Sequence, residues 1–167
     1  MQQKIKIFIT GGTFDKEYNE LSGKLYFNNS HMYELLQLGR CRLILDIETL
    51  MMVDSIEMSK TERNYIIQKC IEEPVQQIVI THGTDTMVET AHMLANSVHK
   101  KTIVLTGAMI PVKFGSSDGL FNMGSALSFV QALPPGVYIA MNGQVFNQEN
   151  VKKNKELGVF EELELAK

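Results

Sequence analysis

The stretch Val79-Ile80-Thr81-His82-Gly83-Thr84-Asp85-Thr86-Met87 gathers five hydroxyl, imidazole or carboxylate side chains around one glycine, directly after an apolar run. An ordinary surface turn needs a Gly or an Asn, not three threonines and an aspartate. A threonine hydroxyl is a poor nucleophile until a base takes its proton, and that base needs an orienting partner. Asp85 and a lysine brought in from elsewhere in the chain would supply those parts. Glycines beside the hydroxyl let a substrate approach the backbone and leave N–H groups to hold an oxyanion. These residue types point to acyl transfer on a small polar substrate.

The pattern recurs. Phe8-Ile9-Thr10-Gly11-Gly12-Thr13 and Val104-Leu105-Thr106-Gly107-Ala108-Met109 also read as strand, then Thr, with Gly nearby. In a parallel sheet all three ends lie along one edge, and if the first and third strands are neighbours, Thr13 and Thr84 face one crevice. Taken singly, each threonine is satisfied as a turn residue, so the chemical reading requires them together. Gly11-Gly12-Thr13 lacks both the Lys-Ser/Thr of a Walker loop and the GxGxxG of a dinucleotide fold, so nucleotide binding is not supported.

The elements that must position these groups alternate. Short Val-, Ile- and Leu-rich runs at 5–9, 42–47, 77–80, 102–105 and 137–141 read as parallel strands covered on both faces. Between them lie helical patterns: one capped by Ser30 and running to Leu38, one opened by a capping box at Ser59-Lys60-Thr61-Glu62, one opened by a second box at Thr86-Met87-Val88-Glu89, and one from about Gly119 to Leu133. The expectation is an α/β fold, a three-layer open and mostly parallel sheet with helices on both faces and right-handed crossovers. Residues 15–29 and 113–118 read as polar loops, and the tail after Asn142 as a loop with a short acidic helix.

Length and composition bound the rest. The 167 residues fit one domain with a proper core, and 44% hydrophobic with 21% charged residues reads as globular. A net charge of −3, with 16 basic and 19 acidic residues mixed along the chain, speaks against nucleic-acid and membrane partners. Cys41 and Cys70 lack metal or redox spacing and are expected to sit half-buried as small hydrophobes. The start lacks the apolar core and cleavage site of a signal peptide, and no apolar run approaches a membrane span, which predicts a cytoplasmic protein.

Three ordered segments then carry a resemblance. FITGGTFDK at 8–16, VITHGTDTMVETA at 79–91 and LTGAMIPVKFGSSDGLFNMGSAL at 105–127 resemble the signature segments of the bacterial-type L-asparaginase family, and LPPGVYIAMNG at 133–143 resembles its short members. The resemblance covers the family's N-terminal domain only, so the chain looks like a single domain spanning 1–167 without the C-terminal domain. It implies hydrolysis of the side-chain amide of asparagine to aspartate and ammonia through a covalent acyl-enzyme, with no cofactor and no metal. By motif, Thr13 would be the nucleophile and Thr84, Asp85 and a lysine a second threonine-centred triad. MNGQVFNQENVKKN at 141–154 resembles the segment bearing the family lysine, second after a valine, which selects Lys153 over Lys152. A family tyrosine orients the nucleophile, and the spacing of YNELSG fits Tyr18 better than Tyr26.

Substrate recognition maps to VDSIEMS at 53–59, where Ser55 would contact the α-carboxylate, Asp85 the α-amino group, and Gly12 and Gly83 the bound substrate. The family often carries a polar residue where this chain has Ile56, and Glu57 is left unassigned. His82 and the Asp118 region are expected to be structural. In longer members a neighbouring subunit's second domain completes the pocket, so the resemblance implies a homo-oligomer, dimer or tetramer, and weaker substrate binding here. An amidase for glutamine or another amide and a non-catalytic asparagine- or aspartate-binding module are the competing expectations.

Overall fold

The computed structural model describes residues 4–163. The chain runs β1 (Ile5–Gly11), β2 (Lys16–Asn19), β3 (Lys24–Phe27), α1 (Met32–Leu38), β4 (Leu45–Val53), α2 (Lys60–Glu72), β5 (Gln77–Thr81), α3 (Met87–Ser97), β6 (Thr102–Thr106), α4 (Gly119–Ala132), β7 (Gly136–Met141), β8 (Gln144–Asn147), β9 (Lys152–Asn154) and β10 (Val159–Glu161). Six strands form one sheet in the order β4-β1-β5-β6-β7-β8, parallel except for β8. No helix among the described residues is long and apolar enough to cross a membrane.

Strand alternation divides the core into two layers. Ile5, Ile7 and Ile9 of β1 pack with Met32 and Leu35 of α1 and with Met123, Ala126 and Val130 of α4. Phe8, from the same strand, joins Ile66 and Cys70 of α2 and Met87, Ala91 and Leu94 of α3 on the other face. Each fully buried isoleucine contributes about 2 kcal/mol of transfer free energy, so the central strands are fixed in register by what they bury. The expected three-layer α/β architecture is therefore present.

The chain leaves β1, pairs β4 on one side of it, then crosses to pair β5 on the other. The carboxyl ends of β1 and β5 thus flank a topological switch point, where connections diverge to opposite faces and leave a crevice. The residues after those two strands are Gly12-Thr13 and His82-Gly83-Thr84.

Several local expectations are corrected. The second strand lies at Leu45–Val53, not 42–47, because its ladder with β1 begins at the Ile5–Leu45 pair and runs to Gly11–Val53. Residues 15–29 are not a loop: β2 and β3 pair antiparallel as a hairpin. The tail after Asn142 forms β8, β9 and β10, and the acidic helix is absent through Leu163; residues 164–167 lie outside the described part. Part of the 113–118 loop is a 3-10 turn at Val112–Phe114. The capping position of α1 is His31, while Ser30 accepts the Met32 amide at 3.2 Å and donates to Asp15 at 2.8 Å. Ser59 and Glu62 do form a capping box, whereas the Thr86 hydroxyl is drawn to tertiary partners and caps nothing. Cys41 is half-buried as expected, but Cys70 is wholly buried, which pushes its thiol up to about 12.

Candidate active site

Three strand ends touch through small residues. Gly12 has φ +75°, a conformation that favours glycine, and its N–H donates to Val53 O at 3.0 Å. A Cβ on Gly12 would stand 2.4 Å from Gly83 N, and one on Gly83 would stand 2.5 Å from Ser55 Oγ. The ends of β1, β5 and β4 are therefore in backbone contact, and Thr13 and Thr84 each follow one of two touching glycines. Since the Gly12 N–H is already engaged, its role in this geometry is close approach, not anion binding.

At the end of β5 the parts are assembled. Lys153 Nζ donates to Thr84 Oγ1 at 2.7 Å and to Asp85 Oδ1 at 2.9 Å. The short strand β9 explains which of the two lysines arrives. Lys152 and Asn154 leave one side of it toward Glu161 of β10, at 3.3 and 3.4 Å, and alternation sends Lys153 the other way. The Lys153 side chain is only 10% exposed, so the stretch is not a solvated surface at this position. The Thr84 hydroxyl hydrogen points to Met109 Sδ at 3.6 Å, a weak acceptor. A neutral Lys153 would take that hydrogen in its place, which is how an amine turns a threonine into an oxygen nucleophile or proton relay. Asp85 Oδ1 holds the lysine in reach, while Oδ2 has no hydrogen-bond partner among the described residues.

At the end of β1 the parts are looser. The Thr13 hydroxyl, half-buried in a 3-10 turn at Thr13–Asp15, has no hydrogen-bond partner among the described residues. Tyr18 is 57% exposed, and its hydroxyl lies 4.0 Å from the position of a Cβ on Gly23, at the hairpin tip. The hairpin still separates the two tyrosines. Tyr26 pairs across from Glu17 and donates to it at 3.2 Å, and Glu17 lies 3.0 Å from His31 Nε2, so that face looks toward α1. Tyr18 shares its face of β2 with Lys16, whose Nζ reaches Asp54 beside Ser55. Tyr18 therefore belongs to the side of the hairpin turned to the strand ends.

Ser55 is 1% exposed and its hydroxyl has no hydrogen-bond partner among the described residues. A buried hydroxyl without a hydrogen bond is costly, and it is what a group kept for a ligand looks like. Ile56, next in the loop, is 70% exposed and Glu57 is also at the surface. Asp54 is partly buried, which acts to raise its pKa. The Lys16 hydrogen bond, the Ile56 amide and the nearby charges of Lys16 and Lys153 outweigh this and hold it below the ordinary carboxylate range.

A second layer holds these groups, and sequence reasoning missed its central member. Arg63, 4% exposed, donates from Nε to Thr90 Oγ1 at 3.2 Å, and through its two terminal nitrogens to Met58 O and to Thr86 Oγ1, the latter at 2.7 Å. Thr86 in turn donates to Ser55 O at 2.8 Å, so one guanidinium ties the 55–58 loop to the start of α3. The clue was present: Arg63 stands three and seven residues before Ile66 and Cys70, on the apolar stripe of α2. His82 is structural, as expected. Its Nδ1 donates to Gly83 O at 2.8 Å and Nε2 accepts from Thr90 at 2.9 Å. Complete burial, despite the bond to Gly83 O and aided by the charge of Arg63, pushes its pKa down to about 4, so the ring stays neutral. Asp118 is likewise structural, accepting the Met109 and Ile110 amides at 3.0 Å. Asn122, buried and not foreseen, bridges Gly107 O and the Asn142 amide at 3.0 Å each. Among the described residues no cluster of three or more His, Cys, Asp or Glu side chains could hold a metal ion.

Fold and site together define an α/β protein with a hydroxyl–amine–carboxylate chain at the switch point of a parallel sheet. Residues 4–161 match the family described as Asparaginase, N-terminal, and the chain belongs to this asparaginase family of amidohydrolases. It is 29% identical over 165 residues to the L-asparaginase of Thermococcus kodakarensis, covering 93% of this chain and 49% of that protein. A glutaminase-asparaginase of Acinetobacter glutaminasificans is 41% identical over 92 residues, 52% of this chain and 28% of that one. Among solved structures, the thermostable T. kodakarensis L-asparaginase superimposes with a TM-score of 0.84 at 27% identity, over 98% of this chain and 52% of that one. A probable cytoplasmic L-asparaginase from Campylobacter jejuni gives 0.85 at 28% identity, over 98% and 54%. The chain thus spans about half the length of the relatives that it matches along nearly its whole extent.

Proposed function

We propose that the chain hydrolyses the side-chain amide of L-asparagine to L-aspartate and ammonia, the 167 residues acting as one asparaginase N-terminal-type unit. The observation that carries this reading is the chain Asp85–Lys153–Thr84, bonded at 2.9 and 2.7 Å, one glycine away from the end of β1. Thr13 Oγ attacks the amide carbonyl, its proton is taken up within the site, and the amide nitrogen leaves as ammonia once protonated. Water then attacks the Thr13 ester, its proton passing through Thr84 to Lys153 and from there to the departing Thr13 oxygen, which restores the hydroxyl as the C–O bond breaks and aspartate is released. The Ser55 hydroxyl, buried and unpartnered, donates to the α-carboxylate, and Asp85 Oδ2 accepts from the α-ammonium. Tyr18 closes over Thr13 and orients its hydroxyl. Gly12 and Gly83 give the substrate room against the backbone. The reaction as written needs water alone, with no cofactor or metal.

The relative named glutaminase-asparaginase supports a second reading, in which glutamine or another amide is taken in the same way. Self-association as a dimer or tetramer is supported by α4, which carries no charged residue over its 14 positions and leaves Phe121 63% exposed. Similarity to the probable cytoplasmic enzyme of Campylobacter jejuni supports a cytoplasmic location. Ammonia release from asparagine and glutamine by the purified chain tests the reading. Release from asparagine, lost in Thr13→Ala and in Thr84→Ala, supports it; aspartate binding by calorimetry without any turnover replaces it with a binding module.

A further inference from the structure

The hairpin that carries Tyr18 is held on two sides. Toward α1, the buried Asp15 accepts the Ser30 hydroxyl at 2.8 Å and the His31 amide at 3.0 Å, and Glu17 faces His31 Nε2 at 3.0 Å. On the opposite face Lys16, the first residue of β2, forms an ion pair with Asp54 Oδ2, while Asp54 Oδ1 takes the Ile56 amide at 3.1 Å. Among the described hydrogen bonds and ion pairs, Lys16–Asp54 is the contact that joins the hairpin to the 54–58 loop. Lys16 also lies over the ring of Phe27, 5.7 Å from its centroid, and so engages both strands.

We propose that the Lys16–Asp54 pair is a positioning device for the site, holding Thr13 and Tyr18 in register with the Ser55 loop. The inference rests on the hydrolase reading above. Lys16 stands three residues after Thr13 and two before Tyr18, and alternation puts Lys16 and Tyr18 on one face about 7 Å apart along the strand. Ser55 immediately follows Asp54. One ion pair therefore spans the two arms that must meet on a substrate: nucleophile and tyrosine on one, carboxylate-binding hydroxyl on the other. Its members are 17% and 27% exposed, drier than a surface pair, so it is less screened by salt and holds a defined geometry. A second consequence concerns charge. Asp54 is within the influence of both Lys16 and Lys153. With Lys16 gone, the Asp54 carboxylate is left to attract Lys153 in competition with Asp85, which loosens the assembled chain as well.

The test compares Lys16→Met and Lys16→Arg with wild type in steady-state asparagine hydrolysis and in amide hydrogen exchange of residues 16–27. The expected result for Lys16→Met is a kcat lowered about tenfold, with KM within about twofold and hairpin exchange about tenfold faster. Lys16→Arg restores both. A Lys16→Met enzyme with wild-type kcat overturns the proposal, as does unchanged hairpin exchange. A fall in Tm with faster exchange over the whole sheet and an intact kcat marks the pair as merely structural and also overturns it. If wild type releases ammonia from no amide, the hydrolase reading fails on its own account, and the exchange of residues 16–27 still decides whether Lys16 fastens the hairpin.

Discussion

The two threonine-bearing ends differ in how much of their chemistry is already built. At β5, Thr84 and Asp85 are bonded to Lys153 at 2.7 and 2.9 Å, and the Arg63–Thr90–His82 chain fixes the Gly83 carbonyl behind them. At β1, the Thr13 hydroxyl has no partner among the described residues and Tyr18 is 57% exposed. The supports explain the contrast. The β5 end grows out of a central strand buried on both faces, whereas the β1 end passes into a two-stranded hairpin, an element that is marginal unless something holds it. Preorganised groups cost nothing to align during a reaction, while groups that order on binding draw on substrate binding energy. In the hydrolase proposed above, the proton-handling half would thus be ready before substrate arrives, and the attacking half left for the substrate to complete.

The largest effect comes from removing either half outright. Lys153→Met and Thr13→Ala are each expected to lower kcat at least about 10³-fold in an ammonia-release assay, because threonine chemistry fails without either its base or its oxygen. Substantial activity in Thr13→Ala would break the comparison by leaving all the chemistry in the β5 half. The double variant is expected to be little worse than the singles, as for residues that act as one unit.

Next comes the layer beneath the β5 half. Arg63→Met leaves the carbonyl of Met58 and the hydroxyls of Thr86 and Thr90 without their donor in a buried site. The expected cost is about 3 kcal/mol in urea denaturation, with a lower midpoint and unchanged slope. A loss under about 1 kcal/mol would mean that the assembled half does not depend on this arginine.

Legibility in the sequence follows the same division. The β5 segment is readable because continuous apolar residues followed by HGTDT signal a buried parallel strand with a chemically loaded end, whereas Lys153 is singled out only through the resemblance of 141–154 to the family segment whose lysine stands second after a valine. The β2–β3 hairpin reads as a loop because its strands are four residues each and half-exposed on both faces, so no apolar alternation marks them. The three-residue strands β9 and β10 fall below any periodicity. Thr86 looks like a cap because Glu89 stands three residues on. Its hydroxyl goes to Ser55 O and Arg63 instead, a tertiary choice no local pattern encodes. What stays hidden in the sequence is mostly what joins segments distant in the chain.

Acid separates the two halves in sign. His82 has a folded pKa of about 4 against an ordinary value of 6.5, so between those values the unfolded chain binds a proton that the folded chain refuses. Its contribution is intact above pH 6.5 and is lost as the pH falls, by about 3 kcal/mol at pH 4. At the hairpin base the opposite holds. Burial raises the pKa of Asp15, against the pull of Ser30 and His31, so its ionisation penalises the fold at neutral pH and lowering the pH relieves that penalty. Urea denaturation from about pH 7 to about pH 4 is expected to show a shallower loss in His82→Gln than in wild type, and a steeper one in Asp15→Asn. Parallel curves for wild type and His82→Gln would remove His82 from the account.

The smallest effect is the most discriminating for the β1 half. Tyr26 is bonded to Glu17 on the face turned to α1, and Tyr18 shares its face with Lys16. If Tyr18 orients Thr13 only once substrate has closed the hairpin, Tyr18→Phe loses a single hydrogen bond made late, and kcat is expected to fall about tenfold with KM nearly unchanged. Tyr26→Phe, which loses only an exposed bond to Glu17, is expected to stay within about twofold of wild type. The reverse ranking would mean that the hairpin turns its other face to the substrate. The alternation that assigns Tyr18 also assigns Lys16, so that outcome would move both residues away from the site together.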